Sequence, residues 1–135
     1  MFHILVVEDD KNLRRLMAAY LEQEGYEVYH AEDGEAALTV LDSTHIDLMI
    51  SDIMMPNIDG YELVEELRAA GFTIPILMVT AKETFEDKKK GFLAGTDDYM
   101  VKPIDMEEML LRVAALLRRA NIANEHKLQI GDDIL

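Results

Sequence analysis

Four short stretches hold the side chains that could do chemistry: Glu8-Asp9-Asp10, Ser51-Asp52, Thr80-Ala81 and Lys102-Pro103. Two carboxylates about 4 Å apart repel by roughly 4 kcal/mol at an effective dielectric near 20. Glu8, Asp9 and Asp52, if brought together, therefore need a cation. Oxygen ligands without His or Cys select a hard ion, Mg²⁺ or Mn²⁺. Mg²⁺ takes one or two protein carboxylates, keeps waters, and completes its shell with a phosphate oxygen. A hydroxyl from Thr80 and an ammonium from Lys102 add the donor and the positive charge that a transferring phosphoryl group requires. An Asp carboxylate can also act as the nucleophile and carry an acyl phosphate. Taken singly, each residue has a plainer reading: an Asp at a strand-to-helix turn is a favoured N-cap, Thr80 a loop hydroxyl, Lys102 a surface lysine. Their joint placement at the ends of apolar runs reverses that.

The runs that must position them are Ile4–Val7, Tyr26–Tyr29, Ile46–Ile50, Ile74–Val79 and Tyr99–Val101, short and rich in Val, Ile and Leu. Between them, Leu13, Leu16, Met17, Tyr20 and Leu21 recur at helical spacing, as do Ala36, Ala37, Val40 and Leu41, then Leu63, Val64 and Leu67, and last Met109, Leu110, Val113, Leu116 and Leu117. Gly25 and Gly71 stand where a left-handed residue would close the first and third helices. Glu86–Ala94 is the weakest helical stretch, with Lys88-Lys89-Lys90, an internal Gly91 and few apolar positions. Strands alternating with helices imply right-handed βαβ units and a parallel sheet covered on both faces. Ligands of such sheets bind outside the carboxyl ends of the strands, where strand order reverses. After Arg119 the pattern turns polar, and Leu128–Asp132 resembles a new strand.

Half of the 135 residues are apolar and 30% are charged, a balance that fits one domain with a real core. No apolar run approaches the roughly 18 residues of a membrane span. The start, Met1-Phe2-His3-Ile4, lacks the basic opening of a secretion signal. With no Cys, disulfides and thiolate metal sites are excluded, and a cytoplasmic location is expected. Thirteen Lys and Arg against 27 Asp and Glu give a net charge of -14, so this chain should not bind DNA by itself.

Val6-Val7-Glu8-Asp9-Asp10, the stretch from Ser51-Asp52 through Met54, Pro56 and Asp59 to Gly60, Val79-Thr80-Ala81, and Asp98-Tyr99-Met100-Val101-Lys102-Pro103 resemble the four signature stretches of response-regulator receiver domains. The resemblance covers about residues 2–119. It implies a flavodoxin-like (βα)5 doubly wound sheet of order 2-1-3-4-5, with Asp52 as phosphoacceptor for a sensor histidine kinase. It also implies Mg²⁺ (or Mn²⁺) on Asp9 and Asp52, with Glu8 assisting through water and the Met54 backbone carbonyl completing the protein ligands. Thr80 and Lys102 would hold the phosphoryl oxygens, Lys102-Pro103 would be a cis peptide, and Tyr99 would be the switch aromatic whose ring moves inward with Thr80. Such a domain is not an enzyme beyond its own phosphorylation and dephosphorylation.

Gly95-Thr96-Asp97-Asp98-Tyr99, with Lys88, Glu108, Arg112 and Arg119, is similar to the OmpR/PhoB-type branch. There the fourth helix, fifth strand and fifth helix form a symmetric dimer face, on which Lys88, Asp97, Asp98, Glu108, Arg112 and Arg119 supply opposite charges for a two-fold axis to pair. That branch controls transcription through a C-terminal winged-helix DNA-binding domain. The expected division is a receiver over residues 1–120, then a linker and the start of that domain over 121–135. The Arg118–Gly131 stretch bears a faint likeness to haem-responsive members. Two rivals fit less well. An aspartate-nucleophile phosphatase wants a second Asp where Met54 stands, and a flavin-binding flavodoxin wants a Ser/Thr-rich phosphate loop where Glu8-Asp9-Asp10 stands.

Overall fold

The computed structural model describes residues 1–55, 58–81 and 95–134, with side chains described through residue 121. Its elements are β1(His3–Val7), α1(Lys11–Gln23), β2(Glu27–Ala31), α2(Gly34–Ser43), β3(Leu48–Asp52), α3(Gly60–Ala69), β4(Ile76–Thr80), β5(Asp98–Val101) and α4(Met106–Ile134). The strands form one parallel sheet of order β2-β1-β3-β4-β5, the expected topology. The helical stretch expected at Glu86–Ala94 lies outside the described residues.

Alternation along each strand divides the core in two. Leu5, Val7, Met49, Ile76, Met78 and Tyr99 pack with Ala37 and Leu41 of α2 and Leu63, Val64 and Leu67 of α3. Ile4, Val6, Leu48, Ile50, Leu77, Val79 and Met100 pack with Met17 and Leu21 of α1 and Met109, Val113, Leu116 and Leu117 of α4. β3 and β4 are buried along their whole length, as strands covered on both faces must be.

Every described helix starts on an aspartate whose carboxylate accepts first-turn amides: Asp10 for α1, Asp33 for α2, Asp59 for α3 and Asp105 for α4. Gly25 and Gly71 close α1 and α3 at φ 90, as the sequence implies.

Strand limits move. β3 and β4 each begin later than the apolar runs suggest and carry on through Asp52 and Thr80, which pair with Val79 and Val101 in the sheet. Asp52 and Thr80 are thus the last rungs of their strands. The strand expected at Leu128–Asp132 is replaced by helix, since α4 runs through to Ile134 and across the division expected at residue 120. An unpaired strand leaves its backbone groups without partners, whereas a helix satisfies them internally. No Gly or Pro interrupts the sequence from Ile104 to Ile130.

Arg68 ties the sheet's lower edge together. Its Nε and Nη2 donate to the Gly95 carbonyl (3.1 and 2.9 Å), its Nη1 to Phe72 and Ile74 carbonyls (2.9 and 2.8 Å), and its Nη2 also to Asp97 (3.0 Å). These contacts use all the guanidinium donors. Arg68→Ala would leave several acceptors unmatched, and we expect a loss of about 2 kcal/mol. The check is a lower urea midpoint at unchanged slope.

Candidate functional site

The strand order reverses between β1 and β3, and the carboxyl ends of those two strands deliver the acids. Glu8 follows Val7 and is buried, with its amide still bonded to the Ala31 carbonyl of β2 at 3.0 Å. Asp9 is exposed, and Asp10 is turned away to cap α1. Asp52, only 5% exposed, ends β3. Glu8, Asp9 and Asp52 each offer a carboxylate oxygen within 4.8 Å of the others.

A cation bridges the two buried members. Lys102 Nζ lies 2.7 Å from Asp52 Oδ2 and 3.0 Å from Glu8 Oε1. The second Asp52 oxygen, Oδ1, accepts the Met54 amide at 3.2 Å, and Glu8 Oε2 accepts the Asp10 amide at 3.0 Å. Burial pushes the Glu8 carboxyl above its ordinary range, against the pull of the Asp10 amide and of Lys102. For Lys102 burial acts downward, but the bonds and charges of Asp52 and Glu8 outweigh it and the ammonium is held above its usual value. One lysine thus partly balances three acids, and the remaining negative charge with its all-oxygen donors suits a hard divalent cation.

Backbone geometry fixes the rest of the site. Thr80 is buried, one residue past the Val79 that pairs with Asp52, and its carbonyl accepts the Lys102 amide at 2.8 Å. The Lys102-Pro103 peptide is cis, as expected. Gly60 packs against the end of β3: its amide bonds the Ile53 carbonyl at 2.9 Å, and a Cβ there would meet the Asp52 carbonyl oxygen at 2.6 Å and Ile53 Cα at 2.9 Å. Met54 leaves the strand with an exposed side chain. The Tyr99 ring is already inside, 7% exposed, in the core layer under α2 and α3.

Of the charges assigned to a dimer face, Asp97, Asp98, Glu108 and Arg112 are engaged within the chain. Arg112 Nη1 holds both oxygens of Asp98 at 2.9 Å, and its Nε holds Glu108 at 3.0 Å. Asp97 turns instead to Arg68 and to the Ile76 amide. Arg119 is exposed and lines a cleft of about 210 Å³ with Asp97. Lys88 lies outside the described residues. Sequence reasoning missed Arg68, whose partners are mostly backbone carbonyls that no spacing rule announces.

The sequence pattern of the response regulator receiver domain matches residues 4–114, over this sheet and this site. The chain belongs to the response regulator receiver family. Solved structures of the same kind include the receiver domain of the Francisella response regulator 1452, at 32% identity and a TM-score of 0.85, covering 89% of this chain and 99% of that one. The chemotaxis protein CheY4 of Vibrio cholerae matches at 33% identity and a TM-score of 0.82, covering 86% and 98%. Among curated relatives, the heme response regulator HssR of Staphylococcus epidermidis is 41% identical over 135 residues, and that of Staphylococcus aureus 38% over 132. The receiver spans 60% and 58% of the length of those relatives, and 100% and 98% of its own length is matched. Receivers of this family are phosphoacceptor signalling domains that interact with histidine kinases. Among the described residues no helix is long and apolar enough to cross a membrane.

Proposed function

We propose that Asp52 accepts a phosphoryl group from the phosphohistidine of a partner kinase, and that the acceptor is held ready by Lys102. The carrying observation is the buried carboxylate pair, Glu8 and Asp52, bridged by one ammonium at 3.0 and 2.7 Å beside the exposed Asp9. One Asp52 oxygen attacks phosphorus, the P–N bond breaks, and the imidazole leaves with the bonding pair; an acyl phosphate results. Lys102 and the Thr80 hydroxyl hold phosphoryl oxygens, and the Met54 amide steadies the carboxylate. Glu8, Asp9, Asp52 and the Met54 carbonyl are the groups that would hold Mg²⁺, which when bound neutralises charge between the acids and the incoming phosphate.

Downstream, the phosphoryl group raises the population of an arrangement of Thr80 and Tyr99 that favours a symmetric dimer. The Asp98–Arg112–Glu108 cluster lies on β5 and α4, where the OmpR/PhoB-type branch pairs its subunits. Because Arg112 is satisfied within the chain, dimerisation adds partners to an existing cluster instead of filling an empty one. We read residues 1–120 as the receiver and 121–135 as the link to a winged-helix domain that controls transcription, in keeping with the greater length of the staphylococcal relatives. The haem response named for those relatives is the first signal to test upstream.

The direct test is intact mass after incubation with a small phosphodonor, with and without Mg²⁺, followed by borohydride trapping to locate the acyl phosphate. A Mg²⁺-dependent gain of one phosphoryl group on Asp52 is expected; no gain in either condition would leave a receiver-shaped interaction domain. Mg²⁺ at about 100 times its dissociation constant should also stabilise the fold by about 2.7 kcal/mol. Asp9→Asn should remove most of that gain, as read from the shift in thermal midpoint.

A further inference from the structure

The β1–β2 ladder begins with the Glu27 amide on the Phe2 carbonyl and reaches the Glu8 amide on the Ala31 carbonyl, both at 3.0 Å. Continued in the same register, its next bond would bring the Asp33 amide to the Glu8 carbonyl. That bond cannot form: β2 ends at Ala31, and Asp33 has left the sheet to cap α2. A side chain takes its place. Arg14, one turn into α1, donates from Nη1 to the Glu8 carbonyl at 2.6 Å. Its Nε is buried without a partner among the described residues, so the short Glu8 bond must offset the desolvation of the guanidinium. The same group lies near enough to His30, on β2, to lower that imidazole after burial, the larger cause.

The Glu8 carbonyl belongs to the peptide joining Glu8 to Asp9. Its orientation decides where the Asp9 carboxylate emerges relative to buried Glu8 and Asp52. We propose that Arg14 is a positioning residue of the phosphoacceptor site, ending the β1 ladder so that Asp9 is presented to the divalent cation. This rests on the reading of Glu8, Asp9 and Asp52 as cation ligands. Arg14 touches no reacting atom; it acts through one peptide plane, in the way outer partners orient metal ligands generally.

The test compares Arg14→Met, which keeps the stem and loses the donor, with Arg14→Lys, which keeps a donor and the charge. Mg²⁺ is titrated into each protein and followed by thermal midpoint, and the backbone amide resonances of Asp9 and Asp10 are recorded without metal. Arg14→Met should need about tenfold more Mg²⁺ for the half-maximal shift and should displace both resonances. Arg14→Lys should recover most of the affinity. A Met variant that binds Mg²⁺ like the wild type, or a Lys variant no better than Met, overturns the role of Arg14 alone. If Arg14→Met fails to fold, Arg14→Ala takes its place: a folded Ala variant with weakened Mg²⁺ binding and displaced resonances supports the role, and wild-type affinity overturns it. A wild type without any Mg²⁺ response overturns the cation reading itself, and this inference with it.

Discussion

Asp52→Asn is expected to reduce phosphoryl uptake by at least about 10³-fold, below detection by intact mass, while leaving a folded protein. The replacement is nearly isosteric, and the amide oxygen can still accept from Lys102, whose other bond, to Glu8 at 3.0 Å, is untouched. What disappears is the nucleophile, because an amide oxygen does not form a stable acyl phosphate. Removing one of two buried acids also relieves repulsion with Glu8, so the unfolding free energy should not fall by more than about 1 kcal/mol. Uptake that persisted in this variant would place the acceptor elsewhere, with exposed Asp9 the first residue to examine.

Gly60→Ala should damage stability and chemistry together. The added methyl would sit 2.6 Å from the Asp52 carbonyl oxygen and from Met78 Cε, and 2.9 Å from Ile53 Cα. The methionine end can swing aside, but the two backbone atoms lie at and just past the end of β3 and cannot move without carrying the acceptor. Overpacking of this kind costs about 1–3 kcal/mol. A displacement near 1 Å at a reacting group costs roughly 10²-fold in rate. The expected result is a lower urea midpoint together with Mg²⁺-dependent phosphorylation slowed by about that factor. A loss of stability with a normal rate would show that the loop yields and the acceptor does not.

The sheet and the acidic site were legible for one reason: the apolar runs end on chemistry. Val7 hands over to Glu8, Ile50 and Ser51 to Asp52, Val79 to Thr80, and Val101 to Lys102, so once the strands are parallel their ends must meet. Less visible were contacts in which a side chain serves backbone. Arg68 and Arg14 bond mainly to carbonyls, and any residue has a carbonyl, so no sequence spacing marks the partner. The partners of Asp97 were hidden similarly: beside Asp98 it reads as a surface charge, yet it accepts the Ile76 amide and meets an arginine 29 positions earlier. The strand expected near Leu128 is helix instead, and no Gly or Pro from Ile104 to Ile130 interrupts it.

The hydrogen bond from the Lys102 amide to the Thr80 carbonyl joins the two residues proposed to grip the phosphoryl oxygens. They are therefore arms of one chelate. Fixing the first arm on a phosphoryl oxygen leaves the second at high effective molarity, since the sheet has already removed most of their relative freedom. Discrimination then depends on the span between the arms. A tetrahedral oxyanion can be grasped at two corners, while a small monovalent anion fills only one and forgoes the chelate gain.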